Sequence, residues 1–121
     1  NKPSLFDDSP LASTMERILS DGNLTEWLRP ATFGSVDMGT GDYLTFDQSN
    51  ITHDEIITAA KCSASIPGVF PPTYFKGKYM MDGGTVYNAN IVSGITMCED
   101  LGFDQEDIVV DVYNCGSVNV Q

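Results

Sequence analysis

Apolar residues recur at helical spacing at Leu11, Met15, Ile18 and Leu19, which predicts an amphipathic helix early in the chain. Ser9-Pro10 marks its start, with Ser as N-cap and Pro at the first helical position, and Asp21-Gly22 marks its end. Trp27 and Leu28 predict a short helical turn closed by Pro30. Residues 32–37 and 43–46 read as two strands, joined by a hairpin turn at Gly39-Thr40-Gly41-Asp42. Thr52-x-x-Glu55 then has the form of a capping box. The helix it opens carries Ile56, Ile57 and Ala60 towards a core and reaches about Ala64.

Pro67, Pro71 and Pro72 exclude regular structure from the next loop. Short strands are expected at residues 73–75 and 79–81, around Lys76-Gly77. A helix is expected over residues 90–101, ended by Gly102. Residues 108–113 form a β-branched apolar run of the kind found in buried parallel strands. Helices alternate with strands, so the predicted class is α/β.

Composition narrows the function classes. The length of 121 residues suits one domain, and 41% hydrophobic residues suffice for a packed core. Seventeen acids against six bases give a net charge of −11, and no Lys or Arg follows Lys78. Nucleic-acid binding requires basic clusters, which this chain lacks. No apolar run approaches the roughly 20 residues of a membrane helix, so membrane contact is peripheral at most.

Cys62, Cys98 and Cys115 are far apart and have no His/Cys partners at zinc spacing. They read as small buried apolar side chains in a reduced compartment. Two sequons, Asn23-Leu24-Thr25 and Asn50-Ile51-Thr52, point weakly the other way. The balance favours a cytoplasmic over a secretory location. The chain starts Asn1-Lys2-Pro3, without an initiator Met or a signal-peptide pattern, and is expected to be a piece of a longer protein.

The candidate chemistry centres on Asp82-Gly83-Gly84. Such a triplet by itself is a turn signal, because glycine reaches backbone conformations that turns need. Its context allows a second reading. Met80-Met81-Asp82 places the acid at a strand's carboxyl end, where sites of α/β sheets lie. The two glycines let other groups approach the carboxylate. Partial desolvation beside Met and Tyr would raise its proton affinity, as a general base requires. A third reading, an anion or metal loop, lacks supporting ligands elsewhere in the chain.

Other polar residues have plainer readings. His53 falls in the capping box and is expected to be exposed. Ser63 and Ser65 read as helix-end hydrogen bonders rather than nucleophiles. Tyr74, Phe75 and Tyr79 are expected to pack against the walls of the site. Val69 and Phe70 could line an acyl pocket or belong to a structural loop.

The strings CSASIPGVFPP and GKYMMDGGTVYNANI resemble the second half of the catalytic domain of patatin-like acyl hydrolases and phospholipases. DDSPL resembles the family's lead into the preceding helix, and VDMGTGDYLTF resembles its hairpin. The resemblance spans residues 7–112 and is most specific over residues 63–84. It implies part of a patatin-like fold, a mostly parallel sheet flanked by helices with a β-hairpin. It also implies a lipid acyl ester substrate, no cofactor or metal, and a Ser-Asp dyad in which Asp82 activates the serine. Gly83, Gly84 and Asn88 would shape the site. The family's serine lies on a G-x-S-x-G elbow, and its oxyanion loop is glycine-rich; this chain contains neither. The 121 residues are therefore expected to be the C-terminal portion of a single catalytic domain, inactive without the other half. A catalytically inactive relative serving as a structural or interaction subunit is the alternative. Where the family usually has Asn-x-Pro, this chain has Asn88-Ala89-Asn90, and Asn90 is free to cap the next helix.

Overall fold

The computed structural model describes residues 4–113. Their elements are α1 (Ser9–Asp21), β1 (Thr32–Asp37), β2 (Tyr43–Asp47), α2 (Ile56–Ala64), β3 (Thr73–Phe75), β4 (Lys78–Asp82) and α3 (Ile91–Asp100). Two compact units divide the chain, one up to Asn88 and one from Ala89 onward.

In the first unit the strands form one sheet in the order β2-β1-β4-β3. Every neighbouring pair is antiparallel. The α/β class holds, but the expected mostly parallel sheet does not. Alternation of helices and strands says nothing of strand direction, and here two hairpins lie side by side. The first, β1–β2, pairs Phe33 with Phe46 and Val36 with Tyr43. The second, β3–β4, turns at Lys76 and Gly77, both at positive φ, and pairs Thr73 with Met80. They join through β1 and β4, where Ser35 faces Asp82 and Asp37 faces Met80.

Side chains alternate across a strand, so Phe33, Phe46, Phe75, Met80 and Asp82 share one face of the sheet. Helix α2 buries Ala59 and Cys62 in the same core as Phe46, Ile51, Phe75 and Met80. The buried stripe is thus one position removed from Ile57 and Ala60, which with Ile56 are only half-buried. Burial pushes the Cys62 thiol up to about 11, as expected of a packed apolar side chain rather than a nucleophile. Cys98 is half-buried, and Cys115 lies outside the described residues.

Local signals account for most element ends. The Glu55 carboxylate accepts from the Thr52 N–H at 2.8 Å, so the capping box forms, opening a 3₁₀ turn at His53–Glu55 that leads into α2. That hydrogen bond, and secondarily the charge of Lys76 at 3.4 Å, hold the Glu55 carboxyl below its ordinary range. Helix α1 begins one residue earlier than expected. Asp8 occupies the cap position, Ser9 is the first helical residue, and the Ser9 hydroxyl turns back to Asp7. Its apolar face is only half-buried at Met15 and Leu19, and Leu11 and Ile18 are exposed.

Trp27 and Leu28 form no helix. The stretch before Pro30 is too short to repay helix nucleation. Trp27 instead packs at the core's edge, with its ring edge-on to His53 at 6.3 Å. His53 is therefore half-buried rather than exposed.

Asp37 is buried at the end of β1 and ties the two hairpins together. Its Oδ2 accepts from Lys78 Nζ at 2.5 Å and its Oδ1 from the Gly39 N–H at 2.8 Å. The bond from Lys78, then that from Gly39, hold its carboxyl below the usual carboxylate range, and the same pairing raises Lys78.

The second unit contains α3, ended by Gly102 at φ +90°. Residues 108–113 form no strand there, and all but Ile108 are exposed. A strand needs a partner for its N–H and C=O groups, and none of the described residues provides one. Instead the run flanks α3, lining with Ile91, Ile95 and Cys98 a groove of about 420 Å³.

Candidate active site

Asp82 is the last residue of β4, half-buried on the sheet face that α2 covers. Its N–H donates to the Ser65 carbonyl at 2.9 Å, which fastens the strand end to the chain leaving α2. Ser65 is buried, and its hydroxyl binds the Lys61 carbonyl at 2.7 Å and the Thr73 hydroxyl at 2.9 Å. This confirms Ser65 as a helix-end hydrogen bonder; Ser63 beside it is half-buried. On the other side of Asp82, the buried Ser35 hydroxyl donates to the Met81 carbonyl at 2.8 Å.

Beyond Asp82 the chain makes a 3₁₀ turn at Gly83–Thr85. Asp82 Oδ1 accepts from the Gly84 N–H at 2.7 Å, and the Thr85 hydroxyl donates to the Asp82 carbonyl at 2.7 Å. Among the described residues no hydrogen bond reaches Asp82 Oδ2. The carboxylate is thus held through one of its two oxygens.

The glycines serve close approach. A Cβ on Gly83 would lie 2.6 Å from the Gly34 carbonyl carbon and oxygen, so the turn rests on the backbone of β1. A Cβ on Gly84 would lie 3.0 Å from Asp82 Oδ1 and 3.6 Å from Asn88 Oδ1. Neither glycine has positive φ, so space, not backbone conformation, requires them. Asp82, Gly83, Gly84 and Asn88 therefore come together, with Asn88 exposed at the rim.

Val69 and Phe70 lie elsewhere in the loop. Both are half-buried, and their N–H groups donate to the Ile66 carbonyl at 3.1 and 2.9 Å. Phe6 bonds through its N–H to the Val69 carbonyl at 2.9 Å, and its ring lies 6.4 Å from that of Phe70. None of the hydrogen bonds at Asp82 involves either residue.

Of the three aromatics expected on the site's walls, only Phe75 is buried, and it packs on Phe46 in the core. Tyr74 and Tyr79 are 61% and 60% exposed and pack on each other, because alternation sends them to the face away from α2. Two other aromatics, Tyr43 and Tyr87, meet edge-on at 5.9 Å, and the Tyr87 N–H donates to the Gly83 carbonyl in the turn after Asp82. Sequence reading missed them because no local signal joins a hairpin residue to a turn more than forty positions later.

Among the described residues no three His, Cys, Asp or Glu side chains gather as metal ligands, and no helix is long and apolar enough to cross a membrane. The first unit thus carries a half-buried acid at a strand end, followed by two glycines. The family model for patatin-like phospholipase matches residues 1–94, and the chain belongs to that family. Its members are generally lipid acyl hydrolases. No curated protein matches the chain.

Proposed function

We propose that this chain supplies the acid of a Ser-Asp dyad in a lipid acyl hydrolase. Asp82 is the general base, and its partner is a serine from polypeptide outside these 121 residues. Asp82 Oδ2 takes the serine proton as the serine oxygen attacks the acyl carbonyl. The ester C–O bond then breaks, and the proton passes to the departing alcohol. Water, deprotonated by the same carboxylate, hydrolyses the acyl-serine and restores both groups. The scheme calls for no metal or organic cofactor, and its substrate is a lipid acyl ester. Gly83 and Gly84 keep side chains away from the carboxylate, and Asn88 borders it.

The observation that carries this reading is the Asp82 carboxylate itself, anchored through Oδ1 to Gly84 with Oδ2 unengaged among the described residues. A second reading, an inactive family member serving as an interaction subunit, is favoured by the lack of G-x-S-x-G in the chain. A fluorophosphonate probe and a p-nitrophenyl ester, used on the full-length protein, separate the two. The dyad reading expects serine labelling and turnover, with Asp82→Asn lowering kcat by about 10²–10⁴-fold. It also expects residues 1–121 alone to be inert. Turnover by the isolated 121 residues that disappears with Asp82→Asn would refute an outside serine. An unlabelled but folded full-length protein would establish the inactive reading.

A further inference from the structure

The turn that holds Asp82 is braced from the sheet face opposite the carboxylate. Tyr43 on β2 pairs with Val36, so its side chain lies on the face away from α2. There its phenol covers Gly34 so closely that a Cβ on Gly34 would collide with the hydroxyl and lie 2.7 Å from Cζ. Gly34 is also the residue whose backbone contacts Gly83. The Tyr43 ring meets Tyr87, and the Tyr87 N–H donates to the Gly83 carbonyl at 2.9 Å. The contacts close a circuit through Gly83, Gly34, Tyr43 and Tyr87 and back to Gly83. Asp82 precedes this circuit by one residue, and its Oδ1 bonds the Gly84 N–H that follows Gly83.

We propose that Tyr43, acting through Gly34 and Tyr87, is a positioning residue that fixes the Asp82 carboxylate for proton transfer. The ring does the bracing. It fills the space over Gly34 and stops the Gly83–Thr85 turn from lifting off β1. The effect reaches Asp82 through a short turn, in which a displacement of about 1 Å is enough to weaken catalysis on the order of 10²-fold. This rests on the assignment of Asp82 as the general base.

The test uses the full-length protein with a p-nitrophenyl ester, comparing Tyr43→Phe, Tyr43→Ala, Tyr87→Ala and Asp82→Asn. Tyr43→Phe keeps the ring and retains kcat within about twofold. Tyr43→Ala and the more exposed Tyr87 truncation each lower kcat by about 10–100-fold with KM nearly unchanged. A purely structural role would lower the melting temperature but leave kcat of the folded enzyme intact, and that result in Tyr87→Ala overturns the proposal even if Tyr43→Ala does not fold. Full activity in Asp82→Asn, or an inert wild type, overturns the dyad itself and this inference with it. Loss of activity in Asp82→Asn with unchanged kcat in both tyrosine truncations overturns the positioning role alone.

Discussion

At the scale of single residues, the site depends on missing side chains as much as on present ones. Gly83 has no positive φ, so alanine is excluded there by space: the Gly34 backbone lies 2.6 Å from the Cβ position and the Ser35 nitrogen 3.0 Å. The obstacle is main chain in the middle of a sheet, which cannot rotate aside. Gly83→Ala is therefore expected to destabilise the fold by roughly 1–3 kcal/mol, the usual cost of overpacking. Gly94 has open space at its Cβ position within a helix, and Gly94→Ala is expected to be neutral or stabilising. Urea melts of the two variants check the contrast, and equal stabilities would contradict the close contact of Gly83 on β1. Asp82 and its glycines were legible as a unit because they are adjacent in sequence. Gly34, Tyr43 and Tyr87 were not, because their meeting depends on the register of β1 against both β2 and β4.

At the scale of elements, what could be read from the chain follows the range of the signal. Both hairpins, the capping box before α2 and the Gly102 stop after α3 are set by residues within a turn of each other, and each is observed. Strand direction and the fate of residues 108–113 depend on what lies alongside, which hydrophobic pattern does not record. An apolar β-branched run specifies that a segment can pair, not that it has a partner. Asn90 is a local signal whose structural role is confirmed. Its Oδ1 accepts from the Ser93 N–H at 3.2 Å, so it caps α3 where the family usually has Pro. Asn90→Ala is expected to destabilise the second unit by about 0.5–2 kcal/mol, while Asn90→Asp keeps most of the cap. Thermal melts followed by far-ultraviolet circular dichroism compare them, and an unaffected Asn90→Ala would remove the cap as the reason α3 begins there.

At the scale of the whole molecule, charge is unevenly distributed. Among the described residues, Arg17, Lys61, Lys76 and Lys78 are in ion pairs with Asp21, Asp8, Glu55 and Asp37. From Glu99 to Asp111 six acids, Glu99, Asp100, Asp104, Glu106, Asp107 and Asp111, are all exposed, and no base follows Lys78. Exposed pairs contribute little and weaken in salt, whereas self-repulsion at −11 opposes compactness and also weakens in salt. The two effects have opposite signs, so their sum is measurable. Unpaired acids outnumber pairs, and the repulsion should dominate. Raising salt from about 10 mM to about 0.15 M shortens the screening length from roughly 30 Å to roughly 8 Å. The melting temperature is then expected to rise by about 2–4 °C, equivalent to roughly 0.5–1 kcal/mol. The double substitution Glu106→Gln with Asp107→Asn should shrink that rise. A melting temperature that falls with salt would mean that the ion pairs, above all the buried Asp37 with Lys78, outweigh the acidic stretch in holding the chain folded.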